Sequence, residues 1–524
     1  MAVSFNADKT SGANPSFWTE GVEPLLFKKL DGPLETDILV VGGGIAGLTT
    51  AYCLAKSGRK VSVVEDGYLG SGETGRTTAH ITYALDDRYY DIERYFGLEK
   101  AKTIAASHIE AILFIEKTVM EENIDCGFRR VDGYLFLDPT DKHENLDEEF
   151  ESTQRLGLPT EMLYDIPTFA GELRERCILF PDQAQFHILK YLKGLSAAIV
   201  RLGGEIYTES RAADIDKRGA TVNGFEVRAN HIVVATNTPV NDLFTMHTKQ
   251  WPYRSYVIGA KIPKGTLPYS MWWDTGNQDS KWVAKPYHYV RLEPFDDRDD
   301  LLIAGGEDHK TGQADEENLP EEHRYAALIS WTKARFPYFN ETAYRWSGQV
   351  MEPVDCLAFL GRNPGDDNIY IITGDSGNGM THCTIGAMLI TDLVHGRENS
   401  WESIYSPSRI TIKTGGDFIS EVGNMAYKMA KDWISSDIEK PSDLKSGEGG
   451  ILSRGLKKLA VYRDENGALH SCSAVCPHLG GILQWNNEEK SFDCPLHGSR
   501  FTAEGVAING PADSDLAKIR LEDD

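Results

Sequence analysis

Cys476, His478, Cys494 and His497 place two thiols and two imidazoles in the pattern C-x-H, fifteen intervening residues, C-x-x-H. Two chemistries use such a set. A tetrahedral zinc ion takes all four side chains, whereas a [2Fe–2S] cluster takes two Cys on one iron and two His on the other. The spacing fits no usual zinc finger and no finger-like helix is expected after it, so iron and sulfur are the favoured reading. Proline and glycine beside the ligands (Cys-Pro-His-Leu-Gly-Gly, 476–481, and Cys-Pro-Leu-His-Gly-Ser, 494–499) suit two tight loops closing over one metal pair.

A second redox signature stands near the N-terminus. Gly42, Gly44 and Gly47 spell G-x-G-x-x-G after the apolar run 38–41, and Glu65 follows eighteen residues after Gly47. The pattern predicts a buried parallel strand over 38–41, a helix over 46–57 and a strand over 60–64 ending at the acid. Gly42 makes the turn, Gly44 admits a pyrophosphate and Gly47 lets helix and strand pack. Ile45 and Ala46 lie where the helix N-terminus faces the phosphates. Glu65 can accept ribose hydroxyls, which favours FAD or NAD over a 2′-phosphorylated nucleotide. A membrane helix over the uncharged stretch 38–55 is disfavoured by its four glycines in six residues and by the strand downstream.

Residues 476–501 resemble the two ligand boxes of Rieske ferredoxin-type domains, and Asn509-Gly510-Pro511-Ala512 resembles the loop covering the cluster in that family. The resemblance implies that Gly481 and Leu496 stand where high-potential members carry a disulfide, so that disulfide is absent. It also implies that Ser499 keeps a hydroxyl bonded to a cluster sulfur while Phe501 replaces a Tyr. The expectation is a low or intermediate potential within the Rieske span of about −150 to +300 mV.

Residues 15–397 resemble the D-amino-acid-oxidase/glycine-oxidase (DAO) superfamily of FAD-dependent oxidoreductases. Three segments carry the likeness besides the glycine motif. Residues 71–82, with Arg76, Thr77, Thr78, Ala79 and His80, resemble the loop passing under the isoalloxazine ring. Residues 231–239, with Thr236, resemble the strand returning to the FAD domain. Residues 368–397, with Gly374, Gly377, Gly379, Met380 and Thr381, resemble the closing strand, loop and helix. The likeness implies that these residues bind FAD and that the helix N-terminus near Gly379 faces the flavin O2/N1 edge, favouring the charge of reduced flavin. Relatives that hold flavin covalently use a Cys just before the closing motif. Ser347-Gly348-Gln349 offers none, so FAD is expected to be non-covalent, with Cys356 and Cys383 as buried thiols. Gly374-Asp375 is also similar to the flavin monooxygenase branch. A DAO domain followed by a Rieske domain is a known bacterial arrangement, which the chain resembles from end to end.

The elements that must position these residues follow from length and pattern. The 524 residues allow about three domain-sized units, and 41% apolar residues suffice for cores. The expected fold is an α/β, Rossmann-like, DAO-type FAD domain with an α+β substrate domain, plus a C-terminal all-β Rieske domain. Residues 1–30 read as a lead-in with aromatic anchors. The oxidoreductase covers 31–397, with FAD parts 31–85, 190–240 and 345–397 and substrate parts 86–189 and 241–344. The first substrate part reads as mainly helical, with an amphipathic helix over 101–122. The second is strand-rich at 251–261, 282–293 and 301–306. Residues 398–440 read as a bridge with one helix over 418–434, and 441–524 as the Rieske domain.

Net charge is −25 with no Lys/Arg-rich block, so nucleic acid and anionic membranes are poor partners. No signal peptide or membrane span is evident at the N-terminus, and the eight Cys show no disulfide framework. A cytoplasmic setting is expected. On the substrate side, Arg254, Tyr256, Tyr289 and Arg291 fall on expected strands facing the flavin. An Arg–Tyr pair there could clamp a carboxylate, or these residues could be structural. His80 divides equally between flavin contact and core. No 2-His-1-carboxylate set for mononuclear iron is apparent.

The primary expectation is FAD-dependent oxidation of a C–N bond in an amino acid or amine, with electrons leaving singly through the cluster to an unidentified one-electron partner. The alternatives are a flavin monooxygenase or reductase fed through the cluster, and a redox-sensing or electron-carrier protein without a small substrate.

Overall fold

The computed structural model describes residues 11–166, 175–241, 246–280, 285–313, 321–410, 436–455 and 457–521, with 423, 429 and 431–433 between them. The strand Leu34–Val41 becomes continuously apolar from Ile38 and is buried there on both faces, as a central parallel strand must be. It pairs in parallel with Val61–Val64 on one side and with Phe225–Val234 on the other. Ile369–Thr373 and Glu205–Tyr207 extend the parallel set, and Phe359–Arg362 closes one edge antiparallel. The helix Ile45–Lys56 packs on this sheet beside Ile188–Arg201 and Gly379–Val394. It ends at Ser57, where Gly58 adopts a positive φ of 87° that breaks the helical repeat.

A nine-stranded mixed sheet forms the second layer. Its order runs Glu341–Pro353, Gln250–Pro263, Asp299–Lys310, Tyr289–Pro294, Ser270–Asp274, Arg129–Phe136, Cys177–Gln185 and His80–Ile81, with Glu161–Leu163 also paired to Cys177–Gln185. The segment 86–189 is therefore more than the helical insertion expected. Its helices Tyr89–Phe96, Leu98–Glu121 and His143–Leu156 surround two long strands that complete this sheet. Of the strand expected over 282–293, residues 282–284 lie outside the described residues, 285–288 are not strand, and the strand starts at Tyr289, with the His288 side chain bonded to Asp274. The expected boundary at 345 falls inside the strand Glu341–Pro353, which pairs with Gln250–Pro263 in the second sheet.

From Glu448 onward, a three-stranded sheet (Glu448–Arg454, Lys457–Arg463, Leu469–Ser473) and a four-stranded one (Gln484–Asn486, Ser491–Asp493, Arg500–Thr502, Ala507–Asn509) make the C-terminal unit all-β. Of the bridge, the short helix Glu402–Tyr405 is described; the helix expected over 418–434 lies, but for a few positions, outside the described residues. Among the described residues no helix is long and apolar enough to cross a membrane.

The C-terminal unit is seated on the rest of the chain through buried polar contacts. Glu489, from the turn after Gln484–Asn486, accepts from Arg76 at 2.7 Å and from the Ser347 amide at 3.0 Å. Side chains of Arg76 and Glu489 are 3% and 0% exposed, so this ion pair is out of water. The lead-in ties the same seam. Ala13 N–H donates to Glu489 O at 3.2 Å, Asn14 Nδ2 to Glu488 O at 2.8 Å, and Trp18 Nε1 to Thr77 O at 2.5 Å.

Candidate active site and metal centre

A cavity of about 500 Å³ lies between the two large sheets. Its phosphate-binding end is built where the strand Leu34–Val41 stops and the helix Ile45–Lys56 starts, so Gly42, Gly44, Ile45 and Ala46 line it. Glu65, at the end of the next strand, lines it too. Its carboxylate accepts from Gly43 N–H at 2.6 Å and Gly67 N–H at 3.0 Å, which fixes it beside the glycine turn. Gly47 lies behind the wall, where an added Cβ would come within 1.9 Å of the Gly42 carbonyl oxygen. At Gly44 an added Cβ meets only the Thr74 hydroxyl, at 2.7 Å, the end of a side chain that can turn away. Gly44→Val is therefore expected to fold but to intrude where a pyrophosphate must sit. The purified variant should lack flavin absorbance and keep its iron; full flavin content would refute the assignment of this end of the cavity.

Arg76, Thr77, Thr78, His80 and Thr236 line the middle of the cavity, and Gly377, Gly379 and Met380 line it at the start of the helix Gly379–Val394. Ala79, Gly374 and Thr381 do not reach the wall. Ala79 is buried with φ 57°, Gly374 packs against Gln250 and Pro353, and Thr381 bonds to His108 at 2.8 Å. Arg76 is turned towards Glu489 and the Ser347 carbonyl. His80 is held by Thr78 Oγ1 at 3.0 Å and the Val290 carbonyl at 3.3 Å. Burial, then the charge of Arg291, pulls its pKa down to about 3, so it is a neutral imidazole. Cys383 also lines the cavity, and burial raises its thiol well above the ordinary range.

The cavity fits a dinucleotide whose flavin end reaches the second sheet, because glycine turn, acid and helix N-terminus converge on one continuous space.

The two loops of the C-terminal unit bring the Cys476 and Cys494 thiols into hydrogen-bonding contact. Each loop is closed by its own backbone. Cys476 N–H donates to Gly481 O and Cys494 N–H to Ser499 O, both at 2.8 Å. The His478 and His497 rings lie side by side, centroids 5.0 Å apart. Ser499 bonds the Cys476 thiol and accepts from Ala512 N–H at 3.0 Å, linking the ligand loop to the proline loop 509–512. Paired thiols on one side and paired imidazoles on the other are the donor set of a [2Fe–2S] centre. The imidazole side faces inward: His247, just before Gln250–Pro263, packs on His478 at 4.7 Å and on His497 at 5.6 Å.

The substrate-side expectations divide by strand parity. On Gln250–Pro263, Ser255 and Val257 line the cavity, and Arg254 and Tyr256 point to the opposite face. Arg254 is fully buried and donates to Ser347 Oγ at 2.9 Å, among the charges of Glu489 and Asp493. Tyr256 bonds His309 at 2.9 Å and packs on Tyr325 of the helix Glu321–Arg335. Arg291 is also fully buried. It donates to the carbonyls of Thr78, Ala79 and Phe186 and pairs with Glu293, so it braces the flavin loop instead of reaching a ligand. Neither arginine lines the cavity. Of the four strand residues, Tyr289 alone lines the cavity, bonded to Ser255 Oγ at 2.6 Å.

Asp86, Trp273 and Gln349, which the sequence did not single out, lie on the cavity wall, together with Tyr287 and Asp308. Behind this wall, Asp138, Asp274 and His288 form a buried group of possible metal ligands. His288 is bonded on both ring nitrogens, to Asp274 at 2.7 Å and Glu307 at 3.2 Å. Burial opposes its charge, but Asp274 and Glu307 prevail and push its pKa up to about 9. It is a salt-bridged imidazolium with no lone pair for a metal.

Residues 37–393 match the FAD dependent oxidoreductase (DAO) family, and residues 435–520 match the Rieske [2Fe-2S] domain. Over 520 residues the chain is 33% identical to a Bacillus subtilis (strain 168) protein that carries the name Rieske 2Fe-2S iron-sulfur protein YhfW, covering 97% of this chain and 98% of that one. It is 26% identical over 393 residues to gamma-glutamylputrescine oxidoreductase of Escherichia coli (strain K12), covering 71% of this chain and 86% of the relative. L-proline dehydrogenase from P. horikoshii shares the fold with a TM-score of 0.57 at 17% identity, over 72% of this chain and 98% of that chain. The glycine turn, the cavity and the paired thiols and imidazoles agree with these matches: the chain belongs to the DAO family of FAD-dependent oxidoreductases and carries a C-terminal Rieske [2Fe-2S] domain.

Proposed function

We propose that this oxidoreductase oxidises a C–N bond of a small amine or amino acid and passes the electrons one at a time through its Rieske centre to a one-electron partner. The observation carrying the reading is the shared wall between the two redox sites. Residues 506–510, Ala512 and Asp513 of the C-terminal unit line the same cavity as the glycine turn. Gln349, also on that wall, donates through Nε2 to the Gly498 carbonyl at 3.0 Å, next to His497. FAD supplies a two-electron acceptor for hydride and the cluster a one-electron carrier.

Gly42, Gly44 and Glu65 would hold the dinucleotide, and Cys476, His478, Cys494 and His497 the irons. The chain's own residues shut water out: Tyr287, Tyr289 and Trp273 form an aromatic wall, with Tyr287 and Tyr289 centroids 5.4 Å apart. A neutral His80 adds no cation to that wall, and an ammonium bound there must lose its proton to a neighbouring carboxylate, Asp86 or Asp308, before hydride leaves the neutral amine. The printed name of the Escherichia coli relative, an oxidoreductase of a substituted diamine, supports the C–N assignment.

Anaerobic mixing of the holoenzyme with a panel of amines and amino acids tests the reading. Bleaching of the flavin absorbance by a panel member is the expected result. Reduction only by an electron-delivering reductase would favour the monooxygenase alternative. The metal assignment carries its own prediction. Elemental analysis should find two irons per chain, and EPR of the reduced protein should show the low average g value of a His-ligated cluster. Zinc without iron would overturn it.

A further inference from the structure

We propose that the end of the cavity beneath the second sheet selects a small organic cation, an amine without a carboxylate, with Asp86 and Asp308 as its anionic contacts. The inference rests on the C–N oxidation proposed above and narrows its substrate class.

Three observations carry it. The first is the balance of charge on the wall. Beneath the second sheet the lining carboxyls are Asp86, Asp308, Glu352 and Asp375. The cations that line the cavity are Lys29, Arg76 and Arg211 among the described residues. Arg76 is paired to Glu489 at 2.7 Å. Lys29 and Arg211 flank Ser210, whose N–H bonds the Glu65 carbonyl at 2.7 Å, which places them at the ribose end. The guanidiniums that could have met a substrate carboxylate, Arg254 and Arg291, do not line the cavity: Arg254 donates to Ser347 and Arg291 to the flavin loop. A carboxylate entering here would lose its hydration and meet carboxyls, with no cation of the described lining at this end to replace the lost water.

The second is an acceptor held ready. Ser255 hydrogen-bonds the Asp308 carboxyl, but its Oδ1 is shut off from the surface without a partner among the described residues. A buried acceptor without a donor is destabilised unless a ligand supplies one. Burial pushes the carboxyls of both Asp86 and Asp308 up to about 7, so a cation beside them favours their ionised form. The third is the aromatic wall of Trp273, Tyr287 and Tyr289, whose ring faces attract an ammonium and offer nothing to an anion.

Two measurements on the holoenzyme test the proposal. In the first, anaerobic flavin reduction is timed with matched pairs: phenethylamine and phenylalanine, pyrrolidine and proline, putrescine and ornithine. The amine of the reactive pair should reduce the flavin at least tenfold faster than its amino acid. Equal rates, or a faster amino acid, overturn the inference and leave C–N oxidation standing. Silence towards all six compounds overturns C–N oxidation itself. In the second, guanidinium at millimolar concentration, a cation with N–H donors and no C–H to oxidise, and acetate are titrated against the flavin difference spectrum. Guanidinium should bind and acetate should not. Asp308→Asn and Asp86→Asn should each weaken guanidinium at least tenfold at unchanged FAD content. Unchanged affinity in both variants, or acetate binding to the parent, overturns the cation site. If a variant fails to fold, the comparison of probes on the parent still decides.

Discussion

His497→Ala should purify yellow and without iron. Loss of a residue that merely supports a metal ligand lowers metal affinity about 10- to 100-fold, and removal of a ligand itself should exceed that. The FAD site is built from other elements, because the glycine turn and Glu65 sit on the first sheet. Flavin reduction by the true substrate in a single turnover should therefore stay within about twofold of the parent, since hydride transfer needs no iron. Steady-state turnover with a one-electron acceptor should fall by about 100-fold or more, the exit for single electrons being gone. A variant that turns over at the parental rate with that acceptor would make the Rieske domain structural or regulatory and end the relay proposal.

Glu489→Ala should be the most destabilising single change at the seam between the two redox units. Burial raises the Glu489 carboxyl, but the guanidiniums of Arg76, Arg254 and Arg500 overcome it, leaving its pKa lowered. Removing one member of a buried charge network leaves its partners uncompensated and costs about 3–5 kcal/mol. Arg76 belongs to the loop on the cavity wall, so the change should also loosen FAD; flavin release on dilution should rise together with the loss of thermal stability. Glu489→Gln should be milder, because it retains an acceptor for the Ser347 amide. The pH dependence follows with a definite sign. Glu489 and Asp493 both hold their protons less tightly in the folded chain than in the unfolded one. Their contribution is therefore complete above the ordinary carboxylate range and fades as pH falls through it. Thermal unfolding of the parent should show this acid loss, and Glu489→Gln should flatten it. A parent and variant with the same acid profile would assign the seam's stability to its apolar contacts.

What could be read from the chain alone was what is local in sequence. The ligand pairs 476/478 and 494/497 each sit within one tight loop, and the glycine turn, helix and acid of the dinucleotide site lie within one strand–helix–strand unit. Spacing along the backbone carries the chemistry there, because residues a few positions apart cannot separate in space. The substrate wall is different. It is assembled from Ser255, Trp273, Tyr289 and Asp308 on four strands, with Asp86 arriving from a loop before the helix Tyr89–Phe96. On a strand, one residue of register exchanges the two faces, so Arg254 and Tyr256 read as well as Ser255 and Val257 until pairing decides between them. Pairing put Ser255 on the cavity and sent Arg254 towards Glu489, in a unit more than two hundred residues away in sequence. The charge of the substrate end was set by that choice. Two arginines that looked able to bind a carboxylate became braces for the seam and the flavin loop, and the aspartates remained on the cavity wall.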